Sequence, residues 1–271
     1  MSRWARLVAA ALSLAGAIGR AAPSNLTPPS SYLQSGQLSP AEAASALDQF
    51  RRSGPAQPAY LEFELRHLPR RGPATTSTGR LWASRNAEGT VLRIELADGT
   101  HFLLQNGPHA QVWRWNLGTT RTVAATEPLQ AGLEITAFDL LMPFLYWPLT
   151  TGITQSRIRG RPADVFLFTA PAAAAPIRNV RAYLDSEYHA PVQIESLSGG
   201  SSVLRTFSLL DLKNLSGQWL FKDIDVRDET TRNKTRLSVT GAALGLDLQA
   251  TLFQSESLGE NVGAPSTVQR W

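Results

Sequence analysis

The chain has no cysteine, two methionines and four histidines in 271 residues. Without cysteine there is no disulfide, no thiolate metal site and no lipid-modified cysteine, so the protein is not itself a lipoprotein. His67, His101, His109 and His189 form no close pair and no HExxH, and each reads as a surface or turn residue. There is no G-x-S-x-G nucleophile elbow and no glycine loop built to cradle a phosphate. Asp223, Asp225 and Asp228 lie close together, but Asp223 and Asp225 alternate with Ile224 and Val226, as on a strand whose carboxylates face water. Nothing marks a pair of glycosidase carboxylates. These absences argue against an enzyme and leave no catalytic residue, metal or cofactor to name.

Long apolar runs are missing too. The run from Leu7 to Ile18 is too short to span a membrane stably. Arg3 and Arg6 precede it and small residues follow, with candidate cleavage sites at Ala17-Ile18-Gly19 and Gly19-Arg20-Ala21. That order of charge, apolar core and small residues predicts a cleaved signal peptide over residues 1–21, export to the periplasm and a mature start between Arg20 and Pro23. The formal charge of +4, from 26 Lys+Arg and 22 Asp+Glu, then falls to +1, because Arg3, Arg6 and Arg20 are lost. No basic stripe with interleaved aromatics remains to suggest a nucleic-acid partner. Residues 22–37 are rich in Pro and Ser and read as a flexible segment, residues 38–260 as one domain, and residues 261–271 as a tail.

What is present centres on Phe138-Asp139-Leu140-Leu141-Met142-Pro143-Phe144-Leu145-Tyr146-Trp147-Pro148. Thr136 followed by Asp139 reads as a helix N-cap. Pro143 removes a backbone donor and pushes Met142 toward an extended conformation, so the helix is short, and a second turn runs from Pro143 to Trp147. A surface helix would keep a polar face. This element hardly has one, so it belongs in a core or over a cavity.

A second helix is predicted from Ser39, its N-cap, through Pro40 and the capping-box residue Glu42 to Arg52, stopped by Gly54-Pro55. Ala43, Ala46, Leu47 and Phe50 share one face, leaving Glu42, Asp48 and Arg51 for water. The rest alternates as strands. Leu61, Phe63 and Leu65 point one way and Glu62, Glu64 and Arg66 the other; Leu92, Ile94 and Leu96 point inward, with Arg93 and Glu95 outward. Further strands are read at Gly79–Ser84, Phe102–Gln105, Val112–Trp115, Arg121–Ala125, Thr154–Arg159, Val165–Phe168, Val180–Asp185, Gln193–Glu195, Leu204–Leu210, Trp219–Val226 and Thr235–Thr240, with Phe253 and Leu258 closing the pattern. The expected fold is mainly β: a single curved antiparallel sheet forming an open half-barrel of about eleven strands, lidded by short helices. Phe63, Leu65, Ile94, Phe102, Phe166, Phe168 and Ile194 are expected to face inward. Phe138, Leu141, Phe144 and Trp147 are expected on the lid, and the tryptophans and phenylalanines could line a cavity.

The segment Val180–Glu260 resembles the outer-membrane lipoprotein-sorting protein family, whose members share the LolA-like fold. The resemblance is carried by Tyr183-Leu184-Asp185, Tyr188, Pro191, Gln193-Ile194-Glu195, Gly200, Leu204, Leu210-Asp211-Leu212-Lys213, Gly217-Gln218-Trp219, Ile224-Asp225-Val226-Arg227-Asp228, Thr235, Leu237, Phe253 and Leu258. The run Asp139–Pro148 ahead of Gly160-Arg161 is similar to one branch of it. The resemblance implies an open β-barrel lidded by helices, with a cavity for acyl chains. It points to a periplasmic carrier that binds the acyl chains of a lipoprotein or lipid for transport toward the outer membrane, with a membrane-bound donor and acceptor as the further partners a carrier needs. The alternative is a lipid- or lipoprotein-sensing regulator of the same fold, acting through a protein partner.

Overall fold

The structure is a computed structural model, and it describes residues 38–52, 57–150, 154–158, 160–185 and 191–271. The expected signal peptide, the expected flexible segment 22–37 and the helix stop at Gly54-Pro55 lie outside the described residues.

Two antiparallel meanders share one seam. The first runs β1 (Ala59–Leu68), β2 (Thr75–Arg85), β3 (Thr90–Leu96), β4 (His101–Gln105), β5 (Gln111–Asn116) and β6 (Thr119–Thr122). The second runs β7 (Thr154–Ile158), β8 (Arg161–Thr169), β9 (Asn179–Asp185), β10 (Pro191–Leu197), β11 (Val203–Leu215), β12 (Gln218–Asp228) and β13 (Lys234–Leu244). β1 pairs with β13, so the order is β6-β5-β4-β3-β2-β1-β13-β12-β11-β10-β9-β8-β7. A short β14 (Gln269–Arg270) pairs with β13 at Gly241 and Ala242, which brings the sheet to fourteen strands. The expected count of about eleven was too low. The sheet does not close into a barrel: β6 and β7 are its ends.

Between β6 and β7 the chain must travel from one end of the sheet to the other. This connection carries α2 (Ala137–Leu141) and a 3-10 turn over Pro143–Tyr146. Asn106, just after β4, donates to the Leu141 carbonyl at 2.6 Å, while Phe144 stacks against Phe168 of β8 at 5.3 Å. β4 and β8 lie nine strand spacings apart, about 43 Å on a flat sheet. The same short element touches both, so the sheet must curl around it. Residues from both meanders and from α1 (Pro40–Arg52) meet in one core on the concave side.

Met142 is left-handed (φ 50°) rather than extended as expected before Pro143. Its N–H still closes α2 onto the Phe138 carbonyl at 2.9 Å, so the chain turns sharply there instead of stretching out.

The convex face departs most from the sequence pattern. Arg93 and Glu95 were expected in water, yet they are 0% and 4% exposed, and β3 is buried on both faces. The cover is the segment after β13. Leu258 packs fully buried with Val91 and Leu103, and Trp113 and Trp115 lie alongside. Tyr60, Trp82 and Ala243 form a second patch under Leu246, Leu248, Leu252, Val262 and Val268. Trp82, Trp113 and Trp115 therefore sit on the outer face instead of lining a cavity. Phe253 and Leu258 belong to a 3-10 turn (Ala250–Phe253) and a loop, where a closing strand was expected. Arg93 spends every donor: Nε and Nη2 on Glu95 at 3.2 and 3.1 Å, the rest on the carbonyls of Leu252, Ser257, Leu258 and Glu260. His101 Nδ1 donates to the Leu258 carbonyl at 2.7 Å.

Two predictions follow from these ion pairs. Arg93→Ala would leave Glu95 with Arg80 alone, at 2.7 Å, and would take the arginine donors from four carbonyls, that of buried Leu258 among them. It should cost about 3–5 kcal/mol in chemical denaturation, and a loss below about 1 kcal/mol would show that the wrap is held by packing alone. The Asp225 case concerns pH. Burial opposes ionisation of Asp225, but Arg236 at 2.8 Å and Lys234 at 2.8 Å outweigh it and hold the carboxyl below its ordinary value. A depressed native pKa stabilises above the unfolded value near 3.9 and ceases to as pH falls through the native one. The stability gap between the protein and Asp225→Asn should be full at neutral pH and close only in strong acid, as followed by denaturation across pH.

Candidate functional site

The candidate site is the concave face beneath the β6–β7 connection. α2 begins at Thr136, as expected. The Asp139 carboxylate reaches back to accept from the Thr136 N–H at 2.8 Å and its hydroxyl at 2.7 Å. Asp139 is the acidic exception in an apolar element and is 7% exposed. Its charge is met by Arg205 of β11, whose Nη2 lies 2.6 Å from Oδ2 and also donates to the Glu134 carbonyl. A carboxylate buried this deeply needs such a partner.

Three more polar contacts fix the connection to its surroundings. Glu134 accepts from the Thr235 hydroxyl of β13 at 2.7 Å and pairs with His67 of β1 at 3.2 Å; its own N–H donates back to the Thr235 oxygen at 2.8 Å. Asn106 holds the end of α2, as above. Arg51 of α1 donates to the Leu145 carbonyl at 2.7 Å and lies over the Tyr146 ring. Arg51 was expected in water; instead it ties the first helix to the second element. α1 itself starts as expected, with Ser39 and Glu42 capping each other at 2.8 and 3.3 Å.

Everything else in the element is apolar contact. Phe138 packs with Phe144 and Trp147 at 5.9 and 5.7 Å, and Phe144 continues through Phe168 to Phe166. Of the residues expected at the cavity, Phe63, Leu65, Ile94, Phe102, Phe138, Leu141, Phe144, Phe166, Phe168 and Ile194 are buried in the one concave core, and Trp147 packs against it partly exposed.

Within this core lies a gap of about 20 Å³, bounded by Phe63, Leu81, Leu92, Leu140, Phe221 and Ile224 among others. Its lining is wholly apolar and it holds about one water-sized sphere, so it stays dry. Gly79 sits opposite Phe63, and a Cβ there would come within 2.4 Å of the ring, so glycine is what lets Phe63 lie flat at the edge of the gap. A larger depression, about 250 Å³, opens on the convex face beside Arg93, Asp247 and Glu260. Arg93 has no donor left for a ligand there.

No local pattern marks Glu134, Thr235 and His67 as neighbours. Arg205 does carry one: it falls two residues before Phe207 on β11, in phase with the inward side chains. Among the described residues no helix is long and apolar enough to cross a membrane, and no three metal-binding side chains gather.

Compared with solved structures, the chain is similar to a domain described as outer membrane lipoprotein-sorting from Vibrio parahaemolyticus, with TM-score 0.68 and 15% identity over 79% of this chain and 97% of that one. A LolA superfamily protein from Nitrosomonas europaea matches with TM-score 0.62 and 15% identity, over 80% of this chain and 99% of that one. A DUF1329 family protein from Desulfovibrio piger matches with TM-score 0.64 and 11% identity, over 79% and 95%. One family model, described as an uncharacterized protein, matches residues 151–260. No curated protein matches the chain by sequence. At these identities the LolA likeness is one of fold.

Arg205→Ala should cost about 3 kcal/mol, the low end for breaking a buried pair, because Asp139 is left charged and unpaired. A double-mutant cycle with Asp139→Asn should return most of that as coupling. Additive losses would mean that Arg205 acts through the Glu134 carbonyl instead.

Proposed function

We propose that the protein is a periplasmic carrier that takes up the acyl chains of a lipoprotein or lipid beneath the β6–β7 connection, and that it works by binding, without catalysis. The observation that carries this reading is the connection itself. It is an apolar lid laid over an apolar concave face, closed around a dry gap and pinned at a few polar points. The likeness in fold to a lipoprotein-sorting domain supports the same reading. The carboxylates near the gap, Asp139 and Glu134, are spent on holding the lid. That leaves hydrophobic surface as the chemistry on offer.

The gap of about 20 Å³ is far below the roughly 300 Å³ or more of a ligand pocket. Cargo enters by lifting the lid, and its methylenes replace the contacts that Phe138, Leu141, Phe144 and Trp147 now make with the core. Burying a chain of about sixteen carbons contributes on the order of 10 kcal/mol, less whatever lid packing is given up. Donor and acceptor proteins would then act by shifting the lid between closed and open.

Organic extracts of protein purified from the periplasm without detergent should contain acyl lipid by mass spectrometry. Phe144→Ala with Trp147→Ala should weaken binding of a fluorescent fatty acid more than it lowers stability. Phe144 is buried and Trp147 partly exposed, so stability should fall chiefly through Phe144, by about 3–5 kcal/mol. Unchanged affinity in a folded double variant would sink the lid as the binding element.

A further inference from the structure

The concave face carries one cross-strand row that runs from the gap to the β6 edge. The registers pair Leu61 with Leu81, Leu81 with Ile94, Ile94 with Phe102, Phe102 with Arg114, and Arg114 with Arg121. Directly opposed residues on neighbouring antiparallel strands point to the same face. Leu61 and Leu81 border the gap. From Leu61 to Arg114 the row crosses four strand spacings, about 19 Å, and its last two members are both cationic.

Arg114 is placed on this face by two contacts. Its guanidinium lies 5.8 Å from the centroid of the inward Phe102 ring, and Val112, two residues earlier on β5, is in the concave core. Trp113 and Trp115 take the convex side. Arg114 is partly buried, and its Nε is out of contact with water and has no hydrogen-bond partner among the described residues. Every other arginine whose side chain is described and is buried or half-buried has a carboxylate within ion-pair distance. The residue facing Arg114 is Arg121, exposed and likewise without an ion-pair partner. Like charges directly opposed across a strand pair are unfavourable, and a partly buried donor without a partner adds to that cost.

We propose that Arg114 and Arg121 form a subsite for the anionic head, a phosphate or carboxylate, of an acyl lipid whose chain lies along the Leu61–Leu81–Ile94–Phe102 row. An anion between the two guanidiniums turns their repulsion into attraction and accepts from the outer N–H groups of both. The chain then leads from the sheet edge into the gap under Leu140. This rests on the carrier reading and adds to it a preferred cargo: acyl lipids with a negative head over neutral ones with the same chain.

The test is displacement of a fluorescent fatty acid, at mildly alkaline pH, by palmitate, palmitoyl lysophosphatidic acid and neutral monopalmitoylglycerol. The anionic compounds should compete at least about tenfold better than the neutral one, the size expected of a charge-assisted hydrogen bond. Arg114→Gln/Arg121→Gln should bring the anions down to the neutral level and leave monopalmitoylglycerol unchanged. Arg121→Gln alone, at an exposed position, should reduce the preference without loss of fold. A preference for one anion over the other identifies carboxylate or phosphate as the head and upholds the subsite. Equal competition by all three, or a preference that survives in the double variant, overturns the subsite while the carrier reading stands. Failure of every acyl compound to bind overturns both.

Discussion

The chain leaves the sheet at one open end and re-enters it at the other. With β1 zipped to β13, the two meanders grow outward from a shared seam, and their far strands, β6 and β7, are the ends. The connection between them has to cross the face that the sheet wraps around. A segment in that place meets apolar side chains from both meanders, which is why residues 137–147 keep almost no polar face and why the acid there, Asp139, needs Arg205 from across the cavity. Topology thus dictates the composition of the central run. On the carrier reading the same segment is the lid, because it lies across the concave face with no strand pairing of its own between residues 137 and 147.

A wide open sheet also has an outer face to protect. On β3 both faces are buried even though the sequence alternates, because the segment after β13 lies across it and turns Arg93 and Glu95 into interior residues. The arginine serves as a clamp: its planar fork donates to one carboxylate and to four carbonyls of a segment that has no strand of its own to pair with. Tyr60, Trp82, Trp113 and Trp115 supply the apolar area under the wrap. The outer face of β1 to β5 and of the end of β13 is thereby covered by the chain's own last segment.

The sequence was most readable where one local rule acts alone. Alternation placed Phe63, Leu65, Ile94 and Ile194 on the core, and the Ser39/Glu42 and Thr136/Asp139 spacings marked both helix starts. It misled where distant segments meet. Nothing near Arg93 announces that residues 252–260 will cover it, and nothing near Glu134 announces His67 or Thr235. The shift of β6 from the expected Arg121–Ala125 to Thr119–Thr122 has a local cause. The turn before it is Leu117-Gly118, with φ of 49° and 82°, and a leucine at a left-handed position carries no turn signal. Arg114 and Arg205 were legible in principle: both fall in phase with inward apolar residues, and a charge at that phase asks for a partner.

That question separates the two arginines. Arg205 meets Asp139 and Arg114 meets Arg121, so one cation on the concave face is answered from within the chain and the other is not. The contrast bears on how the lid can move. Cargo that only filled space would compete with the lid for the same apolar contacts, and a closed lid with a gap of about 20 Å³ already satisfies most of them. An anionic head at the β6 edge adds a gain that the closed state cannot make for itself, since no carboxylate of the described residues reaches Arg114. On the proposed reading, the difference between the open, loaded state and the closed, empty one rests on the head as much as on the chain, which would give a hydrophobic site a means of selecting among lipids that bury the same area.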